Sequence, residues 1–122
     1  MKRTIVLKLG TSSIVDEATQ YPKLSALSKL VEIVYALRKQ QIRVILVSSG
    51  AVGIGLKRLD LKKRPKHLAQ VQAVAAVGQG RLMALYDELF GNYDIPIAQV
   101  LLTRENLADV SLHNSYINDS LV

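Results

Sequence analysis

Two short aliphatic runs separated by one amphipathic stretch constrain this chain more than any other feature. The runs are Ile5-Val6-Leu7 and Val44-Ile45-Leu46-Val47. Both are continuous rather than alternating, and rich in the branched side chains that suit a strand buried on both faces of a parallel sheet. Between them, Leu24, Leu27, Leu30, Val31, Val34 and Leu37 recur at helical spacing. Pro22 suits a first helical position, and Arg38 and Lys39 suit a last turn, where positive charge opposes the helix dipole. Residues 14–20 read as a loop. Strand, helix and strand within so few residues make a βαβ unit, which is parallel and right-handed.

Each run ends in a polar turn. The first is Lys8-Leu9-Gly10-Thr11-Ser12-Ser13, and the second is Ser48-Ser49-Gly50-Ala51-Val52-Gly53-Ile54-Gly55. In open α/β sheets the carboxyl ends of neighbouring strands share one edge, and ligands bind there. The two turns, about forty residues apart in sequence, are therefore expected side by side. Lys8 interrupts an apolar run, and a buried lysine is costly unless an anion meets it. Successive N–H groups beside a glycine make an anion-binding concavity. A phosphate or carboxylate site at this edge is one reading. The other is an edge-strand lysine whose stem snorkels into water. Two phosphate signatures are absent: Lys8 precedes Gly10 instead of following the glycines of a P-loop, and Gly50, Gly53 and Gly55 reverse the dinucleotide fingerprint. The second set of glycines also fits a helix packed tightly on the sheet.

From Pro65 the pattern turns helical again, with Leu68, Val71, Val74, Ala75, Gly78, Leu82, Leu85 and Leu89 at three- and four-residue steps. Gly78 and Gly80 each weaken an isolated helix by about 1 kcal/mol relative to alanine, so a break or a close helix contact is expected near Gln79. That face suits packing on the sheet or on a second subunit. Gly91 to Asp94 is a turn, and Ile95 to Leu102 is expected as a third strand with Pro96 at its start. Beyond Thr103 no clean stripe emerges, although a helix is compatible.

A chain of 122 residues suffices for one domain with a real core, and the absence of tryptophan and the single phenylalanine make that core aliphatic. Without cysteine there are neither disulfides nor thiolate metal sites, and His67 and His113 are too few and too far apart to indicate a metal. No segment has the apolar length of a membrane span, so a soluble cytoplasmic protein is expected. The net charge of +6 is uneven. Lys57, Arg58, Lys62, Lys63, Arg64 and Lys66 lie within ten positions, opposed only by Asp60. Such a cluster serves as a solvated loop between helices or as a nucleic-acid or polyphosphate surface; no aromatic residue is interleaved, so nucleic acid is the less favoured partner.

Five segments resemble the amino acid kinase family. They are Val6 to Ser13, Val47 to Val52, Lys63 to Leu68, Gln72 to Leu82 and Gln99 to Arg104, and the likeness runs from about Ile5 to Asp109. The first two are shared loosely across the family. The fourth and fifth are particular to the branch that phosphorylates the side-chain carboxylate of L-glutamate, and Lys63-Arg64-Pro65-Lys66-His67-Leu68 resembles its fungal members. The resemblance implies a three-layer αβα sandwich with a mostly parallel sheet, L-glutamate and ATP as substrates, Mg²⁺ whose ligands are not identifiable in this chain, and a homo-oligomer when complete. It implies that Lys8 contacts the transferred phosphoryl group, that Gly10, Thr11 and Ser12 line the nucleotide phosphates, and that Ser49, Gly50 and Ala51 hold glutamate. The product would be glutamyl 5-phosphate, at the first step of proline synthesis. After Asp109 the likeness is poor, and the family's later acidic and asparagine positions have no counterpart. Residues 1–122 are thus expected to form the amino-terminal part of the kinase domain, without its nucleotide-binding half and inactive alone. Other acceptors in the same family (acetylglutamate, aspartate, carbamate or UMP) and a non-catalytic fragment that pairs with a full-length kinase are the alternatives.

Overall fold

A computed structural model describes residues 3–101. The order of elements is β1 (Thr4–Leu9), α1 (Thr11–Ile14), α2 (Leu24–Lys39), β2 (Arg43–Ser48), α3 (Ala51–Arg58) and α4 (Leu68–Gly91). The strands pair in parallel, with Val6 opposite Ile45, Lys8 opposite Val47 and Leu9 opposite Ser48. The expected βαβ unit is present, and it forms a two-stranded parallel sheet with helices: an α/β fold.

Alternation along the strands divides the sheet into two unlike faces. Leu7, Leu9, Val44 and Leu46 pack against the core, which Leu27, Val31 and Val34 of α2 and Leu82, Leu85, Tyr86 and Phe90 of α4 complete. The opposite face carries Val6 and Val47, which are 59% and 48% exposed. Among the described residues the helices therefore cover one side of the sheet.

Three local expectations need correction. Pro22 does not open α2. It forms an isolated antiparallel bridge with Val15, and the Lys23 N–H donates to the Ile14 carbonyl at 2.7 Å, so the helix starts at Leu24. Residues 14–20 are not a plain loop, because Thr11–Ile14 makes one helical turn and Val15 joins that bridge. Residues 95–101 form no strand, and Leu102 lies outside the described residues. A strand requires a ladder partner, and this segment bonds to neither β1 nor β2. Its start is instead tied to α4, the Ile95 N–H donating to the Phe90 carbonyl, with Ile95 buried. The expectations for residues 103–122 lie outside the described residues.

Helix α4 begins at Leu68, three residues after Pro65, because His67 remains extended. It then runs unbroken through Gly91. The close contact expected near Gln79 falls at Gly78, where a Cβ would overlap the carbonyl oxygen of Ala51. Gly55 makes the reciprocal approach, facing the carbonyl of Val74. Of the second turn's glycines, Gly55 thus seats α3 against α4 rather than on the sheet, whereas Gly50 and Gly53 face Val15. Among the described residues no such contact surrounds Gly80.

Candidate functional site

Because Leu9 and Ser48 are in register, both polar turns leave the sheet at the same edge. They are bonded to each other there. The Ser49 N–H donates to the Leu9 carbonyl at 3.2 Å, and the Ser49 hydroxyl donates to the same oxygen at 3.1 Å. The Thr11 Oγ1 lies 3.2 Å from Ser49 Oγ. Since the Ser49 proton is directed at Leu9, the Thr11 hydroxyl is the donor in that pair. The predicted juxtaposition of the turns is therefore present.

The first turn is a single helical turn. The Ser13 N–H donates to Gly10 and the Val15 N–H to Thr11, which leaves the Thr11 and Ser12 N–H groups without a backbone acceptor among the described residues. Gly10 is extended, and a Cβ there would meet nothing within 4 Å. The second turn is more tightly determined. Gly50 has φ +101°, a left-handed conformation that favours glycine, and a Cβ would come within 3.0 Å of Ile14 and 3.2 Å of Val15. The apolar residues after the first turn thus lie directly under the second.

Beside this junction is an open cleft of about 680 Å³ lined by Thr11, Ser12, Ser49, Gly50 and Ala51. Lys8 and Gly10 do not line it. Lys8 lies at the same sheet edge, one residue from the end of β1, but alternates onto the exposed face with Thr4 and Val6. The structure therefore gathers the hydroxyl and N–H groups of both turns around one space, with the lysine beside it.

Sequence reasoning missed part of the lining. Asp16, Gln20 and Arg64 also border the cleft. Hydrogen bonds from Thr19, through its N–H and its hydroxyl, hold the Asp16 carboxyl pKa below the ordinary value against an opposing effect of desolvation; the Ala18 N–H and nearby Lys23 lower it further. The Asp-x-x-Thr spacing was the available signal for that turn. Gln20, at φ 65°, has a buried side-chain oxygen without a partner among the described residues. The Lys23 ammonium donates to the Ser12 carbonyl at 2.7 Å, a long-range contact that no local pattern announces. Arg64 belongs to the basic cluster, which occupies the end of α3 and the following loop and is exposed throughout. Lys57 in that cluster lies 4.4 Å from the centre of the Tyr21 ring.

On the core side, the Tyr86 hydroxyl is 2.9 Å from Ser48 Oγ. Burial pushes the Tyr86 phenol up, so it stays protonated at neutral pH. Among the described residues no three His, Asp or Glu side chains converge as metal ligands, and no helix is long and apolar enough to cross a membrane.

The model of the amino acid kinase family matches residues 3–120. The chain belongs to the amino acid kinase family. Within it, the chain is similar to a probable glutamate 5-kinase of Schizosaccharomyces pombe, 57% identical over 115 residues that make up 94% of this chain and 28% of the relative. It is 56% identical over 120 residues to a glutamate 5-kinase of Acaryochloris marina, covering 98% of the chain and 32% of the relative. A glutamate 5-kinase of Microcystis aeruginosa is 52% identical over 118 residues, 97% of the chain and 30% of the relative. The chain thus spans less than a third of the length of these amino acid kinases.

Proposed function

We propose that this chain forms the amino-terminal, substrate-facing part of a glutamate 5-kinase domain, residues 1–122, which acts in ATP-dependent phosphorylation of the L-glutamate side-chain carboxylate. The observation that carries the reading is the hydrogen-bonded junction of the two turns, with Thr11 Oγ1 and Ser49 Oγ 3.2 Å apart beside a common cleft. Identity above 50% to glutamate 5-kinases over nearly the whole chain supports glutamate as the acceptor. The complete protein has a three-layer αβα fold, in which further elements cover the sheet face bearing Val6 and Val47. It acts as a cytoplasmic homo-oligomer in proline synthesis.

A carboxylate is already a nucleophile, so the reaction requires no general base. It requires two anions held in line with their charge neutralised. Bound ATP supplies the transferred phosphoryl group, and Mg²⁺ supplies positive charge at its oxygens. Gly10, Thr11 and Ser12 bind the phosphates: among the described residues the first two N–H groups of the α1 turn lack backbone acceptors, and the space around Gly10 is open. The fit is good for phosphate, whereas the described residues provide no ligand set for the metal. Ser49 with the Gly50 and Ala51 N–H groups orients the glutamate carboxylate. Lys8, whose exposed stem begins one residue from the edge, directs its ammonium to the phosphoryl group between the two.

The test is a comparison of acceptors in the full-length protein with ATP. Phosphorylation of glutamate in preference to acetylglutamate, aspartate, carbamate and UMP is expected; preference for any of these over glutamate overturns the assignment. Absence of measurable ATP binding would instead favour a non-catalytic module that pairs with complete kinase subunits.

A further inference from the structure

The core side of the second turn carries a hydrogen-bond chain that the reaction does not use directly. Tyr86 is only 5% exposed, packed in the core with its ring 6.2 Å from that of Phe90. A phenylalanine would fill that space equally well, and a buried hydroxyl is costly unless it is paired. It is paired with Ser48, the last residue of β2. Ser48 has one hydroxyl proton, and it is directed at the Ser49 carbonyl at 3.3 Å. Ser48 Oγ therefore accepts from the Tyr86 O–H. The order runs from Tyr86 to Ser48 to the Ser49 carbonyl.

We propose that Tyr86 is a positioning residue for the glutamate-facing turn, acting through Ser48 to set the direction of the Gly50 N–H. The Ser49 carbonyl and the Gly50 N–H belong to one planar trans peptide, so they point in opposite directions and turn together. Anchoring the oxygen on the Ser48 side aims the N–H the other way. That restraint matters because the next residue is a glycine at φ +101°, where rotation of the preceding peptide meets little steric resistance. The other bonds of the turn do not supply it: the Ser49 N–H and hydroxyl are tied to Leu9 and Thr11, but neither holds the Ser49 carbonyl. The proposal rests on the assignment of Gly50 as a donor to the substrate carboxylate.

The experiment compares Tyr86→Phe, Ser48→Ala and the double variant in the full-length protein. Each single change should raise the KM for glutamate by about three- to tenfold, as for loss of one hydrogen bond, with the KM for ATP unchanged. The double variant should be no worse than the worse single one, since both remove the same chain of bonds. Additive effects, or an unchanged KM for glutamate in both single variants, overturn the proposal. Amide exchange at Gly50 gives a second readout and should quicken in Tyr86→Phe relative to residues elsewhere in the core. If the parent protein phosphorylates no glutamate, the kinase assignment fails, while unchanged Gly50 exchange separately rejects the positioning role. Should Tyr86→Phe fail to fold, Ser48→Ala carries both readouts.

Discussion

Gly10 and Gly50 occupy corresponding places after β1 and β2, yet their surroundings differ. Gly10 is extended with open space around it, next to an exposed Lys8 and a single helical turn. Gly50 is left-handed and buried against Ile14 and Val15, between a Ser48 bonded to Tyr86 and an Ala51 backed by Gly78 of α4. The same residue types thus build one turn with its donors fixed from beneath and another whose geometry the described residues determine less completely. A small carboxylate gains from donors already oriented. On the proposed reading the triphosphate would meet the looser first turn, its charge and many contacts organising that side.

Five substitutions in four tests probe this contrast. The largest effect is expected at Lys8: in an active full-length protein Lys8→Ala should lower kcat by about 10²- to 10³-fold, as for loss of a group that neutralises developing charge. Thermal unfolding should hardly move, because Lys8 makes no ion pair or hydrogen bond among the described residues. Equal losses of activity and stability would mean that the lysine belongs to the fold. Next is Gly78→Ala, which forces α4 away from the Ala51 carbonyl and should cost about 3 kcal/mol in chemical denaturation. A cost below about 0.5 kcal/mol, the level of an ordinary surface change, would show that the second turn is not braced by α4.

The third probe sets the two glycines against each other. Gly50→Ala should destabilise by about 1–3 kcal/mol through left-handed strain and contact with Ile14. Gly10→Ala should stay within about 0.5 kcal/mol of the parent. Equal costs would erase the distinction. The smallest effect concerns pH. Burial raises the folded-state pKa of Tyr86 above its ordinary 10.0, so its contribution to stability is complete below pH 10 and is lost as pH rises through the folded value. Tyr86→Phe should flatten the alkaline part of the stability profile relative to the parent. Superimposable profiles would place that hydroxyl in water.

The parts of this molecule written in local pattern were legible from the sequence. The aliphatic runs and the stripe through Leu27, Val31 and Val34 define β1, α2 and β2, and the parallel rule brings their polar ends together. The special position of Gly78 was visible as a cost without its beneficiary, the Ala51 carbonyl on another helix. What the sequence hid was non-local. Nothing near Pro22 announces its bridge to Val15, and residues 95–101 have strand composition without a strand partner among the described residues. Asp16 and Gln20 border the cleft because of a fold-back that only coordinates reveal. No local pattern singled out Tyr86, since its hydroxyl partner lies 38 residues earlier.

The most direct test is a crystal structure of the full-length protein with L-glutamate and a non-hydrolysable ATP analogue. The glutamate side-chain carboxylate should lie within hydrogen-bond distance of Ser49 or the Gly50 N–H, with the terminal phosphate against Gly10 to Ser12 and the Lys8 ammonium between them. Ligands bound at separate places, or a Lys8 ammonium turned away from both, would contradict the account.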